Sequence, residues 1–95
     1  MYTIYVKFEC IPGKREAFVE KMKSEGVLDA IRAEKGCIKY DYYYAESNDT
    51  EILLIEQWEC KEDQQIHVTQ PHMNTMRNFK DDYIVNTILG EIELK

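Results

Sequence analysis

The sequence predicts an α+β fold, with a four-stranded antiparallel sheet that carries its helices on one face. Three observations support this fold. The chain begins and ends with runs in which apolar and polar residues alternate, as they do in half-buried strands. Two further β-rich runs lie together in the middle and are joined by a short polar segment, which is typical of a hairpin. Segments with the apolar spacing of amphipathic helices lie before and after that hairpin.

The first strand and the first helical segment are predicted from residues 2–34. Residues 2–10 alternate, and Pro12-Gly13 ends the strand because proline lacks a backbone donor and glycine permits a turn. Helical spacing follows from Lys14 to Glu34. Gly26 inside this segment costs about 1 kcal/mol relative to alanine, so we expect a kink there. Gly36 is the candidate C-cap.

The central hairpin pairs residues 37–45 with residues 51–59 across a polar turn. Neither strand alternates cleanly, because Tyr43 lies opposite its tyrosine neighbours and Leu53 lies opposite Leu54. A strand that is apolar on both sides is usually covered on both sides. Helices can cover one face, and the simplest cover for the other is a second copy of the sheet. The sequence therefore predicts a homodimer through the sheet face.

The remaining elements complete the order β-α-β-β-α-β. A short helix begins at Lys61 and ends near His67, Pro71 marks the first turn of another helix, and residues 88–95 form the last strand. This order is the ferredoxin-like arrangement. Ninety-five residues fit one domain, so we predict a single domain over residues 1–95.

Charge and composition exclude several classes of partner. The chain has 12 Lys and Arg against 18 Asp and Glu, a formal net charge of -6, which argues against nucleic acid and anionic lipid as partners. No apolar run approaches the roughly 20 residues of a membrane helix, and the N-terminus has no export signal. The three cysteines form no CxxC pair and are expected to be reduced thiols. We therefore expect a cytoplasmic protein that acts on a small molecule.

Four segments carry a family resemblance. In chain order they are CIPGKREAF (residues 10–18), EKGC (34–37), EQWECKE (56–62) and HVTQPHM (67–73). Their content and order resemble the antibiotic biosynthesis monooxygenase (ABM) superfamily over almost the whole chain. Together they are fairly specific for the superfamily, although they do not specify one reaction.

The resemblance implies a homodimeric α+β barrel with a substrate pocket between sheet and helices. Many similar proteins oxidise phenols, quinols or polycyclic aromatics with dioxygen and use no flavin or metal, so we expect no cofactor. The resemblance thus predicts a quinol-monooxygenase-like enzyme. Two alternatives are an isomerase or tautomerase of a small carbonyl compound, with or without a phosphate, and a non-catalytic module that binds a small ligand. Haem degradation is disfavoured, because Val6 and Arg77 stand where haem degraders carry an asparagine and the iron-ligating histidine.

Three residues are candidates for catalysis. His67 is the candidate base, because imidazole titrates near neutral pH and a phenolate gives an electron to dioxygen more readily than a phenol does. Trp58 is the candidate aromatic wall of the pocket, and Tyr40 is a candidate hydrogen-bond partner for a substrate oxygen. The competing interpretations are a structural histidine and ordinary core aromatics.

The remaining candidates are predicted to bind substrate, namely Tyr42, His72, Met76, Arg77 and Tyr83. Arg77 would pair with a substrate carboxylate or phosphate if it is not simply a solvated surface arginine. No metal site is predicted, because the two histidines flank Pro71 and lack the i, i+4 spacing of a helical metal pair.

Overall fold

The computed structural model describes residues 1–93. In chain order its helices and strands are β1 (Tyr2–Cys10), α1 (Arg15–Ser24), α2 (Val27–Arg32), β2 (Cys37–Tyr44), β3 (Glu51–Trp58), α3 (Lys61–His67), α4 (Pro71–Lys80) and β4 (Ile84–Ile92). Among these residues no helix combines the length and the apolarity needed to cross a membrane.

The strands form one sheet in the order β2-β3-β1-β4, and each neighbouring pair is antiparallel. The long crossovers place the first and third strands side by side, with Tyr2 opposite Trp58 and Phe8 opposite Ile52. This strand order is that of the ferredoxin-like arrangement. The predicted fold class is therefore confirmed.

The core lies between one face of the sheet and the helices. Alternate residues of β1 and β3 point towards the helices, as the two-residue period of a strand requires. Phe18 of α1 is almost fully buried, and its ring lies 5.6 Å from that of Phe8 and 6.3 Å from that of Phe79. Burying each such side chain contributes about 1.5–3 kcal/mol. This aromatic packing leaves the space for a cavity towards the other end of the helices.

The single helical segment predicted for residues 14–34 is two helices in the structure. Gly26 lies at φ 73°, in the left-handed region, and separates α1 from α2. A residue in that conformation cannot continue a right-handed helix, so the interruption is a full break and not the expected kink. The break turns α2 so that Leu28 and Ile31 pack into the core.

The last strand begins earlier than predicted. Ile84 already pairs with Cys10, and Ile88, predicted as the first residue of the strand, lies in its middle opposite Lys7. The prediction was wrong at this end because an irregularity beside Glu9 and Cys10 disturbs the alternation of residues 84–87. The predicted end of the strand, at residues 94 and 95, lies outside the described residues.

Candidate active site

A cavity of about 250 Å³ lies between the inner face of the sheet and helices α3 and α4. The resemblance implied a pocket in this place. Most of its wall is apolar and comes from β1, β3, β4 and α4. The polar side chains that line it are Tyr40, Glu56, Gln64, His67, Arg77, Lys80 and Thr87. A mostly apolar wall with a few convergent polar groups is the usual form of a small-molecule site.

His67 is the last residue of α3, and its side chain is only 2% exposed. Its Nδ1 lies 2.9 Å from Oε2 of Glu34. Because an ionised carboxylate can only accept a hydrogen bond, Nδ1 carries the proton and the lone pair of the neutral ring is on Nε2. Burial lowers the pKa of His67 and outweighs the opposite effect of Glu34. The imidazole is therefore held neutral, with Nε2 available to accept a proton.

The turn between α2 and β2 holds Glu34 in place. The backbone N–H of Cys37 donates to the carbonyl of Glu34 over 3.2 Å, and Gly36 lies at φ 81°. A Cβ at Gly36 would overlap the carboxylate of the buried Asp63 at the start of α3. Glycine is therefore required here both for the backbone conformation and for close packing against α3.

The Glu34 carboxylate binds both histidines of the chain. Its Oε2 lies 2.6 Å from Nε2 of His72 as well as 2.9 Å from Nδ1 of His67. The three side-chain atoms lie within 4.8 Å of one another. The prediction of no metal site rested on the spacing of the two histidines alone. It took no account of Glu34, which lies 33 residues before His67 and is brought to them by the fold.

The rings of Trp58 and Tyr40 both pack against that of His67. The Trp58 ring centroid is 4.8 Å from that of His67, and its Nε1 donates to Oε1 of Glu56 over 3.1 Å. Trp58 is fully buried and is not among the residues that line the cavity, so it packs against the imidazole in this structure, and its role as the aromatic wall stays a prediction. Tyr40 does line the cavity, and burial raises its pKa well above the ordinary value, so its hydroxyl stays protonated.

The predicted binding residues divide into two groups. Met76 and Arg77 line the cavity. Tyr42 and Tyr83 do not, because they pack around Phe18 at the other end of the inner sheet face. His72 is also outside the cavity wall, since its ring turns towards Glu34. The structure therefore does not bring these three side chains to this cavity, and their contacts with substrate stay predictions.

Several polar groups of the cavity were missing from the predicted site. Glu56, Gln64 and Lys80 line the cavity, and Glu56 is nearly fully buried. Glu56 could have been predicted to be buried, because it alternates along β3 in step with Leu54 and Trp58, which are buried. A carboxylate on the apolar side of a strand is rarely buried without a specific partner or role. No comparable sequence pattern indicates that Gln64 and Lys80 line the cavity.

Glu56 makes stability depend on pH. Burial raises the pKa of Glu56 from 4.5 to about 7. Between these two values the folded protein holds a proton that the unfolded chain releases, so stability falls as pH rises through this window. The Glu56→Gln variant retains an acceptor for Trp58, and we expect its free energy of unfolding at pH 8 to exceed that of wild type by about 2–3 kcal/mol. Urea unfolding at pH 5 and pH 8 measures this difference.

The exposed neighbour Glu59 provides the control for that prediction, and Glu59→Gln should behave as wild type. The lowered pKa of His67 acts in the opposite direction, because it costs stability as pH falls below 6.5. Wild type and Glu56→Gln share this contribution, so their difference isolates Glu56. If the free energy of unfolding changes between pH 5 and pH 8 by the same amount in Glu56→Gln as in wild type, Glu56 is ionised in the folded protein over this whole pH range.

The fold and the cavity define a ferredoxin-like α+β protein with a buried histidine–carboxylate pair beside a small-molecule cavity. The family model for antibiotic biosynthesis monooxygenases, ABM, matches residues 1–78. The chain therefore belongs to this family. An uncharacterized protein of Synechocystis sp. is 30% identical over 63 residues, which are 66% of this chain and 42% of that protein. The chain thus matches less than half the length of this relative.

Solved structures agree with the fold. PA3566 from Pseudomonas aeruginosa superposes with a TM-score of 0.84 at 20% identity, over 99% of this chain and 93% of that one. The "putative antibiotic biosynthesis monooxygenase" from Nitrosomonas europaea gives a TM-score of 0.81 at 21% identity, over 96% and 85% of the two chains. At these identities the likeness establishes the fold alone.

Proposed function

We propose that this protein is a cofactor-independent monooxygenase that oxidises a small aromatic substrate of the quinol or phenol type with dioxygen. The observation that carries the proposal is a neutral, buried His67 at the wall of a largely apolar cavity. A planar aromatic ring fits an apolar cavity of this size, and its hydroxyl needs one base. Membership of the antibiotic biosynthesis monooxygenase family supports the same reaction class.

His67 removes the proton from the substrate hydroxyl. Glu34 holds the Nδ1 proton in place and so directs the Nε2 lone pair towards the cavity side of the ring. As Nε2 takes up the proton, the nearby Glu34 carboxylate stabilises the imidazolium that forms. The resulting phenolate donates an electron to dioxygen. Positioned proton transfer of this kind typically contributes about 10²–10⁴ in rate.

Tyr40 and Glu56 supply hydrogen bonds and a second proton site. Tyr40 stays protonated and donates to the substrate oxygen, which holds the phenolate beside His67. Glu56 lies with Oε1 4.0 Å from Nε2 of His67, and its pKa of about 7 allows it to hold a proton at neutral pH. A neutral imidazole beside a carboxyl group that holds a proton at neutral pH suits a reaction that both removes and returns protons.

The proposed reaction balances without an external reductant. A phenol with a free ring position and one dioxygen give a quinone and one water, so that one oxygen atom enters the ring and the other leaves as water. The substrate supplies both hydrogens of that water and all four electrons. His67 accepts the first proton, and protonated Glu56 returns one to the departing oxygen.

Dioxygen uptake tests this function. Metal-free protein is mixed with a panel of small quinols and phenols in an oxygen-electrode cell, with chelator present and with protein omitted in the control. We expect uptake that scales with protein concentration, with one dioxygen consumed per quinone formed. No uptake above the control over the whole panel would overturn the oxygenase proposal. Ligand-dependent thermal stabilisation without a product would then favour the non-catalytic binding module.

Two cations at the cavity favour the second candidate, an isomerase or tautomerase of a small carbonyl compound. Arg77 and Lys80 both line the cavity, and a guanidinium pairs well with a carboxylate or phosphate. The same His67 would move a proton next to a carbonyl group without dioxygen. Conversion that continues at an undiminished rate under nitrogen would select this reaction over oxygenation.

We further propose that the protein acts as a homodimer through the outer face of the sheet. The core residues and all four helices of residues 1–93 lie on the inner face. Apolar side chains remain on the outer face, where Ile55 is flanked by Tyr5, and Tyr43 and Ile88 are 43% and 47% exposed. A second copy of this surface is a self-complementary cover.

Light scattering at micromolar concentration tests the dimer. Wild type is expected at twice the mass of one chain, and Ile55→Lys at the mass of one chain, because the substitution places a charge in the centre of the outer face. Gln65→Lys adds the same charge at an exposed position of α3 and should remain dimeric. A wild type that is monomeric under these conditions would refute the dimer.

A further inference from the structure

We propose that Glu34, His67 and His72 form a binding site for one divalent transition-metal ion of the zinc type. Each residue brings one potential ligand atom, and the three atoms lie within 4.8 Å of one another. This site shares His67 with the proposed oxidation, although that reaction itself needs no metal.

The chemistry of the three side chains matches such an ion. Two imidazole nitrogens and one carboxylate oxygen are a common three-ligand set for zinc, with a fourth position left for water. The ligands are borderline in softness, which favours Zn²⁺, Co²⁺ or Ni²⁺ over Mg²⁺ or Ca²⁺. The chain contains only two histidines, and the fold brings both to the same carboxylate.

The geometry lies close to that of a metal site. With metal–ligand distances near 2.0–2.1 Å, tetrahedral ligand atoms are about 3.3–3.4 Å apart. Glu34 Oε2 is now 2.9 Å from His67 Nδ1 and 2.6 Å from His72 Nε2. An ion between them replaces the protons of these two hydrogen bonds, and to reach that spacing the oxygen moves about 0.4–0.8 Å away from each nitrogen while the two nitrogens, which lie within 4.8 Å of each other, approach by up to about 1.5 Å. The backbone of all three residues, in a tight turn and at two helix ends, can stay in place.

A further carboxylate lies near the other ring nitrogen of His67. A histidine that ligates a metal usually donates its other ring N–H to a carboxylate or a carbonyl group. Oε1 of Glu56 lies 4.0 Å from Nε2 of His67, on the side of the ring away from Glu34. Glu56 is therefore placed to accept that hydrogen bond once the metal occupies Nδ1.

The ion has a route to the site. A depression of about 160 Å³, lined by Glu34, Lys35, Asp63, Ile66 and Gln70, opens at the surface beside the Glu34 carboxylate. The His72 side chain is 21% exposed, whereas that of Glu34 is 9% exposed. The depression thus offers an ion an approach from solvent to the Glu34 carboxylate, and none of the residues that line it lines the cavity beside His67.

His67 cannot bind the metal and act as the catalytic base at the same time. With a metal on Nδ1, the neutral ring carries its proton on Nε2, so His67 donates to Glu56 and can no longer accept a proton from a substrate. The metal is accordingly an inhibitor of the proposed reaction. The site itself is measured without substrate, so failure of either proposal is recognised independently of the other.

Zinc titration tests the site. Metal-free protein competes for Zn²⁺ with a chromophoric chelator, in a Cys60→Ser background because Cys60 is exposed and thiols bind zinc. We expect one Zn²⁺ per chain. His72→Ala and Glu34→Gln should each weaken binding by at least about 100-fold, since even an outer-shell partner is worth about 10–100-fold. Glu62→Gln, at an exposed position of α3, is the matched control and should bind as the parent does.

Imidazole ¹⁵N resonances of the unsubstituted histidines make the test independent of how well the variants fold. Addition of one equivalent of Zn²⁺ should shift Nδ1 of His67 and Nε2 of His72 together. Absence of stoichiometric binding, binding that is unchanged in folded His72→Ala, or ring resonances that do not respond to zinc would each overturn the proposal.

Discussion

Turnover by the His67→Ala variant is expected to fall by about two to four orders of magnitude, the usual contribution of a positioned general base. His67 is the only imidazole at the cavity wall among residues 1–93. Its burial keeps it neutral, and Glu34 fixes its Nδ1 proton. The loss should appear in kcat, because the substrate remains enclosed by the apolar wall while its proton has no acceptor. Steady-state dioxygen uptake with the best substrate of the panel measures it.

The second histidine provides the control for this prediction. His72 touches Glu34 but does not line the cavity, so His72→Ala removes one of the two imidazoles bound to the carboxylate and leaves the base itself. We expect a loss of about tenfold, the lower end of the range for a residue that acts through another. Equal losses in the two variants would mean that the Glu34 cluster is a structural unit. Full activity in folded His67→Ala would exclude it as the base.

Most of the fold could be predicted from the sequence, because strand alternation and helix boundaries are local properties. The strand from Tyr2 to Cys10 alternates clearly and was predicted with the bounds that the structure has. The sequence predictions were wrong where the tertiary structure determines how a helix or strand begins or ends. The effect of Gly26 depends on whether the backbone enters the left-handed region, and the start of β4 depends on pairing with β1 across an irregularity. Neither can be read from periodicity.

The site was only partly predictable. His67 was identified by residue type and motif position, and the structure places it at the cavity. Its partner Glu34 comes from a turn 33 residues earlier, and no local pattern joins the two. The alternation of side chains along a strand also shows which face of the sheet a residue lies on, but it does not show which end of that face the residue reaches. Tyr40 and Tyr42 share a face of β2, yet only Tyr40 reaches the cavity, because Phe18 and its neighbours fill the other end.

Replacing Trp58 with alanine is expected to lower the free energy of unfolding by about 3–5 kcal/mol. Among residues 1–93 the indole is the largest fully buried side chain, and its ring centroid lies 4.8 Å from that of His67. Its removal leaves a void and also deprives the buried Glu56 of its hydrogen-bond donor. Because small domains have only about 5–15 kcal/mol in total, the variant should be close to unfolding at ambient temperature. Urea denaturation followed by circular dichroism measures the change.

Trp58→Phe separates packing from hydrogen bonding. Phenylalanine keeps an aromatic ring behind His67 but cannot donate to Glu56, so the expected cost falls to about 1–3 kcal/mol for the unsatisfied acceptor and the smaller ring. Since the imidazole stays supported and Trp58 is not among the cavity-lining residues, turnover in this variant should fall by about tenfold at most, the lower end of the effect of a residue that acts through another. A much larger loss of turnover with stability preserved would mean that the indole contacts the substrate, as the sequence predicts for an aromatic wall.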